Sequence, residues 1–197
     1  ILRGEIDVAL RRERDPERYR QVLNSNREEI ERLCRLLDSL LLLARADAGK
    51  AVGPGESIEL TGLCRDIVQK IKPLADQQGV RLDYEGGADL FTRGDRVALE
   101  HVLSNLLDNA LQHTPAGETV RVSVAEQDGG ATNRVIDTGR GIPAEALPHL
   151  FKRFYRVEGA RSAKRNGAGL GLAIVKALTE AHGGRVTVGS KLAEGWS

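Results

Sequence analysis

Hydrophobic positions in the first quarter of the chain recur at helical spacing. They alternate between steps of three and four residues, which is a heptad pattern; its members are Leu23, Asn26, Ile30, Leu33, Leu37, Leu40 and Ala44. Asp15-Pro16 predicts the start of this helix, as an N-cap followed by proline at the first helical position, and the helix is expected to run to about Ala48. One helix alone cannot bury such a seam. The pattern therefore predicts a helical hairpin that pairs with a second copy as a four-helix bundle.

Beyond residue 57 the pattern becomes mixed, with short alternating segments between amphipathic ones. Strands are predicted at 58–60, 80–84, 120–125, 131–136 and 185–188, and helices at 61–78, 95–113 and 169–181. Thr61 is the expected N-cap of the first of these helices. Asp128-Gly129-Gly130 is the expected hairpin turn. The pattern predicts an α+β fold in two layers, a two-layer α/β sandwich with helices against an antiparallel-leaning sheet.

Three parts of the chain follow from these patterns. Residues 1–50 are expected to be helical, beginning with a shorter amphipathic piece over 1–14, and residues 51–57, with Gly53-Pro54-Gly55, form a linker. Residues 58–197 form the mixed domain.

Composition narrows the classes of function. The net charge of +1 gives no overall attraction to nucleic acid, and no apolar run reaches the roughly 18–20 residues that span a bilayer. Cys34 and Cys64 have no metal-binding spacing and are expected to be buried thiols in a reducing compartment. The chain begins at Ile1 and contains no Met, so we expect it to be a fragment of a longer protein.

Two carboxamides stand on one face of the predicted helix 95–113. Asn105 and Asn109 are four residues apart, in the segment N-L-L-D-N-A, and the rest of the helix is apolar. Hard cations such as Mg²⁺ take oxygen ligands, and an amide oxygen supplies one without placing a negative charge beside phosphates. The alternative is that one asparagine caps a neighbouring loop.

Two glycine-rich turns follow. Asp137 opens D-T-G-R-G-I, in which the carboxylate is a strong acceptor for an exocyclic amine and the glycines allow close backbone approach. The second turn, G-A-G-L-G-L at 167–172, precedes a predicted helix, where free N–H groups and the helix dipole favour phosphate. It is neither a dinucleotide fingerprint nor a P-loop, since no Lys-Ser/Thr follows. Each turn alone is also compatible with an ordinary loop.

An aromatic and cationic segment separates the two turns. Phe151, Phe154 and Tyr155 precede an expected mobile loop at 158–166. They are expected to anchor its base in the core, to form a hinge that docks the loop over bound nucleotide, or to do both. Cationic side chains surround it, and one of them acting on a γ-phosphate would suffice; they are Arg153, Arg156, Arg161, Lys164 and Arg165.

The histidines have different expected roles. His101 lies one turn before Asn105 on the same face, where it packs or orients water, and His113 ends the helix, where it packs against a base or caps. His182 is the expected C-cap of the last helix, and His149 is expected to be structural or exposed.

These motifs, in this order, resemble the N, G1, F and G2 boxes of the sensor histidine kinases, within the ATPase superfamily that includes gyrase B, Hsp90 and MutL. The resemblance covers nearly the whole chain. Residues 17–49 resemble the second helix of the dimerisation and histidine-phosphotransfer domain, and 58–197 the catalytic ATP-binding domain.

The resemblance implies ATP and Mg²⁺ as ligands and a role for each matching residue. Asn105 would ligate Mg²⁺, Asp137 would accept from the adenine amine, and Arg156, or less favourably Arg153, would act on the γ-phosphate, with His101 beside it. The remaining residues expected to contact the nucleotide are Asn109, Gln112, His113, Gly139, Gly141, Ile142, Gly167, Ala168, Gly169, Leu170, Gly171 and Leu172.

The resemblance also implies a reaction and partners. The γ-phosphoryl group of ATP would pass to a histidine and then to an aspartate of a response regulator. The protein would be a homodimer through its N-terminal hairpin, cytoplasmic, with no nucleic-acid partner and with membrane contact only through segments outside this chain.

Departures from the family pattern leave alternatives open. The phosphoacceptor box H-E-x-x-T-P has no match, so the fragment is expected to bind nucleotide without autophosphorylation. Gln112 stands where many relatives carry Lys, and His101 where Glu or Gln is frequent. The chain stops about where a final strand would begin, and Asn133 interrupts an apolar strand without an evident reason. The alternatives are a serine kinase or ATPase of the same superfamily and a nucleotide-binding scaffold without catalysis.

Overall fold

The structure is a computed structural model that describes residues 15–49, 55–157 and 168–190. The expected amphipathic piece over 1–14, the whole expected mobile loop at 158–166, and Gly167 lie outside these ranges. The chain divides into two compact units, Ile1–Leu41 and Leu42–Ser197. The predicted boundaries at 50 and 58 remain predictions.

A long helix, α1, spans Pro16–Asp47. The predicted start is confirmed, because the Arg18 backbone N–H donates to the Asp15 carboxylate over 2.8 Å and proline occupies the first helical position. Most of the predicted seam is exposed: the exposed apolar members are Leu23, Ile30, Leu33, Leu37 and Leu40. Asn26, its polar member, is buried and its side-chain N–H donates to the Val22 carbonyl.

The second unit combines three helices and five strands among the described residues. In chain order they are β1 (Glu56–Glu59), α2 (Leu60–Gln77), β2 (Arg81–Gly86), β3 (Phe91–Gly94), α3 (Arg96–His113), β4 (Thr119–Gln127), β5 (Gly130–Asp137), a 3₁₀ turn (Leu147–His149) and α4 (Gly171–Ala181). β1 and β3 pair antiparallel, and the other strands form a sheet in the order β2-β4-β5. The predicted α+β class is confirmed.

The core lies between one face of the three-stranded sheet and helices α2 and α3. Strand β4 alternates as predicted, so that every second side chain enters the core. The largest fully buried hydrophobic side chains are Leu63, Val80, Leu107, Leu111, Val120, Val122, Val175 and Leu178. The predicted hairpin turn is confirmed, since Asp128 and Gly129 have φ of +54° and +76°. β2 runs parallel to β4, so the sheet is not wholly antiparallel.

Two local predictions are wrong. The N-cap of α2 is Glu59, whose carboxylate accepts the Gly62 N–H, and not Thr61. The Thr61 hydroxyl instead donates to the Ala88 carbonyl over 3.0 Å and accepts from the Leu90 N–H over 3.1 Å. Its partners lie 27 and 29 residues away, so no local rule predicts them.

The predicted strand 185–188 is also absent: these residues adopt no regular secondary structure. Their alternating pattern favours a strand locally, but a strand exists only when a neighbour completes its backbone hydrogen bonds. Conversely, β3 was not predicted. It forms because β1 lies beside it, with Ile58 opposite Thr92.

Candidate functional site

Helix α3 carries the two predicted carboxamides and begins as predicted. Asp95 is its N-cap, and the Asp95 carboxylate accepts the Ala98 N–H over 3.0 Å. Asn105 and Asn109 are half-buried. The Asn105 side-chain N–H donates to the His101 carbonyl over 2.8 Å, which leaves its carboxamide oxygen directed away from that turn of the helix. The His101 residue is exposed to solvent. Its backbone carbonyl, and not its imidazole ring, accepts the bond from Asn105.

The second glycine-rich turn lies against Asn105. A Cβ added at Gly171, the first residue of α4, would lie 2.9 Å from the Asn105 carboxamide oxygen. The oxygen therefore faces the N-terminus of α4, where the first backbone N–H groups lack partners within the helix. These two predicted site residues, 66 positions apart, are adjacent in space.

The same turn also meets the aromatic segment. Gly169 has φ of +71°, and its carbonyl accepts the Phe154 N–H over 2.8 Å. A Cβ at Gly169 would lie 2.8 Å from the backbone of both Phe154 and Tyr155. Glycine is thus required there by backbone conformation and by space. Tyr155 stacks edge-on with His149, at a ring separation of 5.5 Å, which supports the structural role expected for His149.

The Asp137 turn lies against the C-terminal end of α3. A Cβ at Gly139 would lie 2.6 Å from the His113 carbonyl oxygen and 2.7 Å from the Asp137 carboxylate. That carboxylate accepts the Gly139 N–H over 2.9 Å and is otherwise exposed to solvent, as the D-T-G motif predicts for a ligand contact. Further along, Gly141 has φ of +73°.

The remaining predicted residues fall on the same three segments. Ile142 follows the first turn and its N–H donates to the Ser190 hydroxyl over 2.8 Å. The others are Gln112 and His113 at the end of α3, Ala168 and Leu170 before α4, and Leu172 in its first turn.

The two candidate arginines differ. Arg153 donates to both carboxylate oxygens of Asp47, over 2.7 and 2.8 Å, within the second unit. Arg156 is exposed and lies one residue beyond the point where the aromatic segment meets Gly169. Arg161, Lys164 and Arg165 lie outside the described residues.

Two contacts were not foreseen. The Asn133 amide donates to the Cys64 sulfur over 3.0 Å, which explains a polar residue on the core face of β5. The His182 ring contacts the backbone at the start of α3.

The part of the chain that contains the three motifs matches a known protein family. Residues 94–197 match the family of histidine kinase-, DNA gyrase B-, and HSP90-like ATPases, and the chain belongs to this family. The match begins at the end of β3 and includes all three motifs, so the family predicted from them is confirmed.

Individual relatives are sensor proteins. The chain is 37% identical to Sensor protein IrlS of Burkholderia pseudomallei over 96% of its own length and 40% of that protein, and 37% identical to Sensor histidine kinase CusS of Escherichia coli K12 over 94% and 38%. It thus spans about 40% of the length of these relatives. The structure of full-length ShkA in complex with AMPPNP superposes with a TM-score of 0.74, at 29% identity, over 92% of this chain and 37% of that one.

Within 15–49, 55–157 and 168–190, no helix is both long enough and apolar enough to cross a bilayer.

Proposed function

We propose that this chain is the ATP-binding catalytic part of a sensor histidine kinase, which transfers the γ-phosphoryl group of ATP to a histidine nitrogen. The observation that carries the proposal is the convergence on α3 of both glycine turns, at Asn105 and at His113. The names of the relatives support the reaction, and the AMPPNP complex of ShkA supports a nucleoside triphosphate as ligand.

The middle of α3, at Asn105, and its C-terminal end, at His113, would hold the two ends of the nucleotide. The exposed Asp137 carboxylate would accept the exocyclic amine of adenine, beside the space that Gly139 leaves at the His113 carbonyl. The N-terminus of α4 would face the phosphates, because its free N–H groups and dipole favour anions.

The residues present fit a magnesium ion held together with the phosphates. In the described part of the chain, no group of three or more His, Cys, Asp or Glu side chains is arranged to hold a metal. The Asn105 carboxamide oxygen, directed at the phosphate turn, is the protein ligand that we propose for Mg²⁺, with phosphate and water oxygens as the others. The ion would neutralise phosphate charge during transfer.

Arg156 is the cation that we propose for the γ-phosphate. It lies beside the junction of the aromatic segment with Gly169, directly after Tyr155. These groups would position the nucleotide and neutralise the charge of its phosphates. The accepting imidazole itself supplies the nucleophile.

The partners follow from the same proposal. The exposed apolar seam of α1 would pair with a second copy, forming a homodimer, and a response-regulator aspartate would receive the phosphoryl group. We expect the unit to lie in the cytoplasm, where ATP is present.

The test supplies an acceptor domain of this family in trans with γ-labelled ATP. Label on the acceptor that is lost in acid and kept in base identifies phosphohistidine and supports the proposal. Acid-stable label would identify a serine kinase, and ATP binding without transfer would identify a scaffold; either result would overturn the proposal.

A further inference from the structure

His182 links the two helices that carry the candidate site. It follows the last residue of α4, as the predicted C-cap, and its Nδ1 lies 2.7 Å from the Leu178 carbonyl oxygen of the same helix. Its Nε2 lies 3.1 Å from the backbone nitrogen of Asp95, the N-cap of α3. A backbone N–H only donates and a carbonyl only accepts, so Nε2 is the acceptor and Nδ1 carries the proton. The ring therefore bridges α3 and α4 through both of its nitrogens.

Because Gly94 has no side chain, the His182 ring fits beside it. A Cβ at Gly94 would lie 2.5 Å from His182 Cδ2 and 2.8 Å from Nε2, closer than unbonded atoms approach. Gly94 is the last residue of β3 and immediately precedes Asp95. The contact therefore depends on two neighbouring positions of one segment, a glycine that admits the ring and a backbone N–H that binds it.

Helices α3 and α4 pack against each other along α4, and the His182 contact lies at one end of this packing. The approach of Gly171 to Asn105 lies at the other end. Asp95 and Asn105 are ten residues apart, about 15 Å of helix, and Gly171 and His182 are eleven residues apart, about 16 Å. The spans match, so α4 runs antiparallel to the first part of α3, from Asn105 back to Asp95.

We infer that His182 is a positioning residue for the nucleotide site: its bond to the Asp95 N–H fixes the register of α4 along α3 and so holds the phosphate-facing turn at the Asn105 carboxamide. This role goes beyond capping α4, in which the His182 side chain contacts only the Leu178 carbonyl. It rests on the proposed function, because the register matters for phosphates and metal only if they bind there.

Three variants separate the two roles. In His182→Gln the side-chain oxygen reaches about as far as Nε2 and can accept from Asp95, whereas in His182→Asn the shorter amide reaches only the Leu178 carbonyl; His182→Ala makes neither bond. Glu180→Gln, on the exposed face of the same helix, is the control. Each full chain is titrated with ATP and Mg²⁺, and separately with adenosine, below its measured unfolding temperature.

The expected results differ between the variants and between the ligands. Affinity for ATP with Mg²⁺ falls about tenfold in His182→Asn and His182→Ala and stays within about threefold of the unaltered chain in His182→Gln and Glu180→Gln. Affinity for adenosine stays within about twofold in all of them, since the base contacts lie at the other end of α3.

Two results would overturn the inference while the proposed function stands. One is that His182→Asn binds ATP with Mg²⁺ as tightly as the unaltered chain, whereas His182→Gln binds it more weakly. His182 would then act only as a helix cap. The other is an equal loss for ATP and adenosine in every variant, which would indicate a general loss of stability. If the unaltered chain binds neither adenosine nor ATP, both the proposed function and the inference are wrong.

Discussion

At the scale of single residues, the sequence predicts which side chains suit a ligand and where the backbone needs glycine. Asp137, Asn105 and the glycines were predicted as site residues because their chemistry suits a base, a cation and phosphates. Their neighbours were not predictable, since the atoms that fill the space beside Gly139 and Gly171 come from distant segments. The same applies to Asn133, whose partner Cys64 lies 69 residues away.

The two arginines give the first prediction. Arg156→Gln should lower the rate of phosphoryl transfer by about 10²-fold or more, because a cation that stabilises developing charge acts in the transition state. Arg153→Gln is the matched control and should leave the rate nearly unchanged, since its partner Asp47 is a surface carboxylate and such pairs contribute little. Single-turnover transfer to the acceptor domain measures both, and a larger loss in Arg153→Gln would contradict the assignment.

Gly171 gives a second prediction at this scale. Gly171→Ala should preserve the helix, because alanine favours it, but its Cβ would lie 2.9 Å from the Asn105 oxygen. We expect the affinity for ATP with Mg²⁺ to fall about tenfold while adenosine binding is unchanged. Gly87→Ala, at a position where a Cβ meets nothing within 4 Å, is the control. Equal affinities in all three chains, measured by calorimetry, would exclude a close approach of this turn to Asn105.

At the scale of elements, local patterns predicted most helices and strands and failed where a distant partner decides. α1, α3, β4 and β5 have strong periodicity, caps or turns of their own. β3 exists because β1 pairs with it, and 185–188 is irregular despite its alternation. The α2 cap was misplaced because Thr61 bonds to residues 88 and 90.

The junction of α2 with the sheet predicts a dependence of stability on pH. Burial raises the pKa of the Cys64 thiol from 9.0 to about 12, and Asn133 donates to its sulfur. The unfolded thiol loses its proton near pH 9 and the folded one does not, so the unfolded state is favoured as pH rises from 9 towards 12. The slope from Cys64 is at most about 1.4 kcal/mol per pH unit.

Denaturant titrations between pH 8 and pH 10.5 check this dependence. The prediction that both thiols are buried is right for Cys64 and wrong for Cys34, which is exposed. The decline in unfolding free energy should therefore be shallower in Cys64→Ala than in the unaltered chain, and unchanged in Cys34→Ala. Burial also raises the pKa of Tyr84, so part of the decline should remain in every variant. Identical slopes for Cys64→Ala and the unaltered chain would contradict the burial of an uncharged thiol.

At the scale of the whole molecule, the sequence predicted the family and the fold class, because three motifs in fixed order carry more information than any one of them. The exposed seam of α1 leaves apolar side chains at Leu23, Ile30, Leu33, Leu37 and Leu40 in contact with water. Such a face is stabilised when a second helix covers it.

The seam predicts self-association. Leu33→Gln combined with Leu37→Gln should convert the dimer to monomer at micromolar concentration, since each change removes apolar area from the interface. Arg35→Gln, between them in sequence and on the opposite side of the helix, should remain dimeric. Light scattering coupled to size exclusion gives the mass of each, and a monomeric unaltered chain would exclude pairing through this seam.

We propose above all that α3 and the two turns together bind ATP through Asp137. Isothermal titration of the folded chain with ATP and Mg²⁺ should give saturable heat, and Asp137→Ala should weaken binding about tenfold or more, because a hydrogen bond to a charged acceptor is lost. Asp128→Asn, in the β4–β5 turn of the same sheet, is the control and should bind as the unaltered chain does. Equal heats and affinities for the unaltered chain and Asp137→Ala would contradict the account.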